Sequence, residues 1–269
     1  MDNFLLKKEL ITTRTIISQV NLEFDIEKVF TNIPLYFNIN GYENCAIVTM
    51  YHKENIKGQT DIFDKKKNKS SFRNAVNIII KVNTKFINLK LSKRGNFQIT
   101  GCKNMEECFF SVQYLIELLL LTCRDCIVSI PKDVSVYFYT VMTNLVFNTG
   151  YEIDRKKLSD IINQDKNFYN LFETNFGYTG MNVKLPLDDK MLPSTIPFYQ
   201  FNVEKQHWNI GTCPFNKPSQ KKKKFNTFLI FHSGKIIMSG MCETAMEKHY
   251  SFFRNFLDQH ANEIKEVIL

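Results

Sequence analysis

A nine-residue pattern occurs twice in this chain, and its spacing constrains the fold more than any other feature. The first copy reads Lys-Arg-Gly-Asn-Phe-Gln-Ile-Thr-Gly from Lys93 to Gly101, and the second His-Ser-Gly-Lys-Ile-Ile-Met-Ser-Gly from His232 to Gly240. In each, two glycines flank five residues ending in a hydroxyl, after a strand-like run and before a helical one. The copies lie 139 residues apart (232 minus 93) in a chain of 269. Solenoid repeats recur every ~20 to 50 residues, so this offset implies two whole units in tandem.

The order of elements repeats as well. A strand-like run opens each half, Thr15–Leu22 and Val141–Phe147, and a short amphipathic helix follows, Phe24–Phe30 and Ile153–Ile162. A Gly-Tyr pair, Gly41-Tyr42 and Gly177-Tyr178, introduces further strands, and a longer helix closes each unit, Met105–Leu121 and Thr244 to about Leu257. With no long β-α-β crossovers, this order predicts an α+β fold of antiparallel sheets with helices on one face. The join falls near Thr122–Asp133, so the units are expected at 1–132, with an insertion at about 54–71, and at 133–269, with an insertion at about 187–224. Two lysine tracts, Lys65–Lys69 and Lys221–Lys224, read either as solvated loops or as loops that face phosphates.

A formal charge of +8, carried almost wholly by lysine, favours a polyanionic partner. Seven cysteines without a framework spacing, and no signal-peptide pattern after Met1, predict reduced thiols inside a cell. The longest apolar run, Leu115–Thr122, is broken by Glu117 and is too short to cross a membrane. Cys123 and Cys126 form a lone Cys-x-x-Cys, expected to be structural or incidental, and the five histidines make no ligand or triad spacing. The sequence therefore predicts no enzyme, no metal site and no cofactor.

The run Phe228-Leu-Ile-Phe-His-Ser-Gly-Lys-Ile-Ile-Met-Ser-Gly240 resembles the second-repeat signature of the TATA-box-binding protein family, and Ile16–Leu22 resembles its opening strand. Low similarity and insertions in both halves suggest the divergent members encoded by large DNA viruses. The resemblance implies a saddle of two tandem repeats, a curved antiparallel sheet with helices on its convex face. It further implies a transcription initiation factor that binds the minor groove of AT-rich promoter DNA and recruits a factor IIB-like partner and RNA polymerase. The location implied is the host nucleus, a cytoplasmic viral factory or the virion. Minor-groove proteins of this kind read A·T acceptors with polar side chains and kink the duplex with apolar wedges.

Carried over position by position, the resemblance implies DNA contacts by Asn144, Val146, Lys184, Thr227, Leu229, Lys235, Ile237 and Ser239 in the second unit. Tyr178 and Phe231 take its wedge positions. In the first unit the matching positions are Thr15, Ile17, Tyr42, Gln98 and Thr100, and a wedge position holds Ser92. Alternation supports Ser92 there, because Ile87, Leu89 and Leu91 form a core face and leave Asn88, Lys90 and Ser92 opposite. Tyr42 and Tyr178 read equally as loop anchors, and Phe231 as a residue buried by an insertion. The partner surface implied is Phe172–Phe176, with Glu173 and Phe176 as its contacts. The first unit thus reads as a polar platform and the second as an apolar, wedging one. That contrast leaves a second expectation, an adaptor of the same fold that binds proteins without bending DNA.

Overall fold

The computed structural model describes residues 11–60, 74–172, 180–215 and 223–266. Their elements, in chain order, are β1 (Ile11–Val20), α1 (Ile26–Asn32), β2 (Cys45–His52), β3 (Asn55–Gly58), β4 (Ala75–Val82), β5 (Lys85–Ser92), β6 (Asn96–Thr100) and α2 (Met105–Thr122). Then follow β7 (Asp133–Asn148), α3 (Arg155–Ile162), β8 (Tyr169–Leu171), β9 (Gly180–Pro186), β10 (Thr195–Asn202) and β11 (His207–Pro214). The chain closes with β12 (Phe225–Phe231), β13 (Lys235–Gly240), α4 (Glu243–Gln259) and α5 (Ala261–Ile264). The class is α+β, and every strand pairing described is antiparallel.

Two compact units emerge. The N-terminal unit comprises Arg14–Tyr139 and Thr195–Pro214, and the C-terminal unit the described residues of Met1–Thr13, Thr140–Ser194 and Phe215–Leu269. In the N-terminal unit the strands run β3-β2-β4-β5-β6-β1, and α2 covers one face. Ile16, Ile87, Leu89, Leu91, Phe97 and Ile99 point to that side and are buried with Val112, Leu115 and Leu119 of the helix. Each such side chain contributes about 1.5–3 kcal/mol by leaving water. In the C-terminal unit the order is β7-β13-β12-β9-β8, with Leu145, Val183, Phe228, Ile230, Ile236 and Met238 buried against Met246, Phe253 and Leu257 of α4.

Caps set the helix starts, at Met105 for α2 as the pattern suggests and two residues later than it suggests for α1 and α3. Asp25 and Asp154 N-cap α1 and α3, each carboxylate accepting from two backbone N–H groups. At α2, Asn104 accepts from the Glu107 N–H at 2.8 Å, and Glu107 accepts in return from the Lys103 N–H at 3.1 Å.

The first glycine of each repeated pattern is fastened alike. Val20 N–H donates to Gly95 O at 2.8 Å, and Thr149 N–H to Gly234 O at 3.0 Å. Phe24 N–H donates to Lys93 O at 2.9 Å, and Ile153 N–H to His232 O at 2.8 Å. Both glycines have positive φ, +72° and +78°, and a Cβ on either would fall within 2.4 Å of a backbone oxygen. The caps match too: Asp25 N–H donates to Cys126 O and Asp154 N–H to Ile264 O, each at 2.8 Å. Cys126 is therefore a buried packing residue, and its burial pushes the thiol up to about 12.

The expected insertions take different routes. Residues 61–73 of the first lie outside the described residues, while β3 extends the sheet beside β2. Of the second, β10 and β11 form a hairpin assigned to the N-terminal unit rather than to the unit that precedes it in sequence. There β10 pairs with the first part of β7, Phe198 opposite Tyr137 and Phe201 opposite Val134. Tyr199 and Phe201 complete that unit's core.

Candidate nucleic-acid interface

With one face of each sheet buried under helices, strand alternation decides what the other face presents. In the C-terminal unit two rows cross β7, β13, β12 and β9. The first runs Asn144–Ser239–Thr227–Lys184, and the second Val146–Ile237–Leu229–Asn182. All eight residues are half-buried, between the buried positions of their strands. Ser239 Oγ donates to Asn144 Oδ1 at 2.7 Å, which leaves the Asn144 amide nitrogen free to donate outward. Phe231 lies on the same face at the end of β12, opposite Gly180, and Lys235 is exposed opposite Asn148. A polar row beside an apolar one, with a phenylalanine at its end, is the makeup a minor groove lined by acceptors would match.

The N-terminal unit has the same rows with different chemistry. They run Thr15–Thr100–Asn88–Ile79 and Ile17–Gln98–Lys90–Asn77 across β1, β6, β5 and β4. Gln98 and Lys90 occupy the places that Ile237 and Leu229 hold in the other unit, so the apolar row has become polar. Burial lowers the pKa of Lys90. Ser92 is on this face as alternation predicts, and its Oγ accepts from the Asn96 N–H at 3.2 Å. Phe86, 46% exposed, stands on the same face beside Lys81. Nothing in the repeated pattern marks it, although the core face of Ile87, Leu89 and Leu91 fixes its direction.

Tyr42 does not join the face. It is 8% exposed within the helix-side core, and its hydroxyl donates to Glu117 Oε1 at 2.6 Å. Trp208 Nε1–H of the β10–β11 hairpin donates to the same oxygen at 2.6 Å. Burial and the neighbouring carboxylate raise the Tyr42 pKa. Of the two alternatives for Tyr42, the loop anchor is the one seen. Tyr178, Glu173 and Phe176 lie outside the described residues, whereas Phe172 is described, with the Arg155 guanidinium 5.6 Å from its ring centroid.

Charge is sorted by layer. The thirteen described strands contain one carboxylate, Asp133, whose Oδ1 accepts from the Asn202 amide at 2.8 Å. They contain seven basic residues, Arg14, Lys57, Lys81, Lys85, Lys90, Lys184 and Lys235. Four of these, Lys81, Lys90, Lys184 and Lys235, stand on the faces turned from the helices. The described helices instead carry nine acidic residues, Glu27, Glu106, Glu107, Glu117, Asp160, Glu243, Glu247, Asp258 and Glu263, mixed with six basic ones, Lys28, Arg155, Lys156, Lys157, Lys248 and Arg254. Elsewhere, His232 comes within 3.0 Å of Glu266 and 3.8 Å of Glu152, an exposed trio whose ligand atoms lie within 4.8 Å of one another.

Comparisons with known proteins add a lineage. A TATA-box-binding protein-like protein of Acanthamoeba polyphaga mimivirus is 28% identical over 214 residues, covering 75% of this chain and 52% of that protein. The chain resembles the divergent TATA-box-binding protein-like proteins of large DNA viruses. It is also 31% identical over 216 residues to the uncharacterized protein 335L of Invertebrate iridescent virus 6, covering 74% of the chain and 63% of that protein. The chain thus spans between about half and under two thirds of these relatives' lengths. Among solved structures, the TBP of Methanococcus jannaschii aligns with a TM-score of 0.48 and 14% identity, over 93% of this chain and 97% of that one. No protein-family model matches. Among the described residues no helix is long and apolar enough to cross a membrane.

Proposed function

We propose that this protein is a viral TATA-binding-like initiation factor, built from two copies of one unit, that docks the open faces of its sheets on the minor groove of AT-rich promoter DNA. The observation that carries this reading is the layering of charge. The open faces combine lysines, amides, hydroxyls and apolar side chains with almost no carboxylate, and a duplex is a dense polyanion with acceptors at every A·T pair. The helices, whose charges are mixed, leave that side to proteins, here a factor IIB-like partner and through it RNA polymerase, within the infected cell. The chemistry is binding, not catalysis: Asn144, Thr227 and Thr15 read acceptors, Val146, Ile237 and Leu229 fill the groove, and Phe231 wedges a base step.

The N-terminal unit favours one refinement. Its apolar row is polar, Ser92 holds a turn, and Tyr42 is tied to Glu117. DNA distortion therefore concentrates at the C-terminal unit. The second reading, an adaptor without DNA bending, draws on the same observation.

Titration of AT-rich and GC-rich duplexes at several salt concentrations separates the two. Initiation-factor behaviour requires an A·T preference, a bend, and a log–log salt slope of about −0.9 per phosphate neutralised. Absence of both preference and bend hands the fold to the adaptor reading.

A further inference from the structure

The β10–β11 hairpin is fastened on one side and open on the other. Pairing of β10 with β7, burial of Tyr199 and Phe201, and the Trp208–Glu117 bond hold it to the N-terminal unit. On the far side, among the described residues, β11 pairs with β10 alone. Its outer edge is a row of unpaired backbone donors and acceptors, a template for another strand.

Proteins usually blunt such edges by shortness, charge, proline or a bulge. Strand β3 is an edge of four residues that includes Lys57, and β8 an edge of three. Strand β11 has eight residues, no Asp, Glu, Lys or Arg, a proline only at its last position, and unbroken register with β10. At its middle Ile210 is 70% exposed, and beside it Gly211 leaves open space.

We propose that β11 is a dimerisation edge, on which β11 of a second copy pairs antiparallel about a two-fold axis at Ile210. Antiparallel pairing about such an axis is self-complementary, so one edge serves both copies. Trp208 and Ile210 lie opposite Phe201 and Tyr199 and share their face of the sheet. An axis perpendicular to the sheet at Ile210 keeps that face in common. Ile210 then meets Ile210 of the second copy, so the most exposed apolar side chain of the strand covers itself. Trp208 meets Thr212 of the second copy, an aromatic–β-branched pair of the kind that stabilises sheets. Asn209 meets Gly211 and His207 meets Cys213, with no like charges opposed. A charge of +8 on each copy repels at long range, so added salt strengthens this contact, the reverse of its effect on phosphate binding. The dimer stands independently of the DNA reading.

Sedimentation equilibrium of the full chain at low and high salt tests it. A concentration-dependent dimer, tighter at high salt, is expected, with Ile210→Lys weakening association about fivefold through like charges at the axis. In a Cys213→Ser background, Ile210→Cys should form a reducible dimer on oxidation, and Thr212→Cys should form it much more slowly, because Thr212 faces Trp208 rather than itself. A chain monomeric at all concentrations overturns the proposal and leaves the edge to a strand of another protein. A dimer that survives Ile210→Lys, or equal cross-linking at positions 210 and 212, overturns it as well.

Discussion

Truncating Phe231 to alanine tests the functional asymmetry between the units. Phe231 ends β12 on the open face, opposite Gly180, which offers no side chain to cover the ring from that strand. The core of the unit uses Phe228 and Ile230 of the same strand, both fully buried on the opposite face, so Phe231→Ala leaves it intact. A base stacked on an aromatic ring is held by about 1–3 kcal/mol. At 1.4 kcal/mol per factor of ten, affinity for an AT-rich duplex should fall by roughly 5- to 150-fold, together with most of the bend.

Ser92→Ala makes the matched change in the other unit. The Ser92 hydroxyl accepts from the Asn96 N–H and presents no apolar surface. Its loss costs about 0.5–1.5 kcal/mol of folding stability and leaves affinity and bend near wild type. A duplex carrying a fluorescent donor and acceptor at its ends reads both quantities in one titration. Equal effects of the two substitutions, or a Phe231→Ala protein that bends DNA like wild type, would refute the argument that wedging belongs to the C-terminal unit.

Other perturbations probe the supporting structure. Trp208→Phe keeps the ring beside Phe201, 4.9 Å between centroids, but removes the 2.6 Å bond to Glu117. The expected loss is about 1.5–3 kcal/mol, read as a lower thermal midpoint and faster amide exchange across 195–214; unchanged exchange there would count against the latch. Gly234→Ala places a Cβ 2.2 Å from Tyr151 O at φ +78° and should cost about 1–3 kcal/mol or more, whereas Gly150→Ala, at φ +86° with nothing within 4 Å, should cost less; equal losses in urea denaturation would contradict the steric account. His249 lies 3.0 Å from the Asn226 amide nitrogen, and burial lowers its pKa below 6.5. The unfolded chain therefore takes up the proton first, and stability at this site declines as pH falls below 6.5; His249→Gln should flatten that decline in urea titrations, and an unchanged slope would assign it elsewhere.

Alternation made much of this legible, because a strand with one buried face has only two ways to turn. Ile87, Leu89 and Leu91 fix Ser92 on the open face, and Phe228 and Ile230 fix Leu229 and Phe231 there. Tyr42 obeys no such rule. Its Gly-Tyr pair looks the same as the one at Tyr178, yet its direction is set by Glu117, 75 residues on, and by Trp208 on a hairpin from the other half of the chain. That hairpin lies in the expected insertion at about 187–224, whose fold the repeat pattern leaves open. Its docking on β7 is not legible either, since chain continuity points to the C-terminal unit while Phe198 finds Tyr137. Net charge hides the feature on which the proposed function rests for a related reason. A total of +8 from 35 basic and 27 acidic residues describes a mildly basic surface, but only strand boundaries reveal that, among the described residues, a single acidic one lies in a strand. Sorting by layer, rather than excess of charge, gives the sheet faces their sign. Moving two lysines from strands to helices would keep the net charge and weaken the case for DNA on the sheet side.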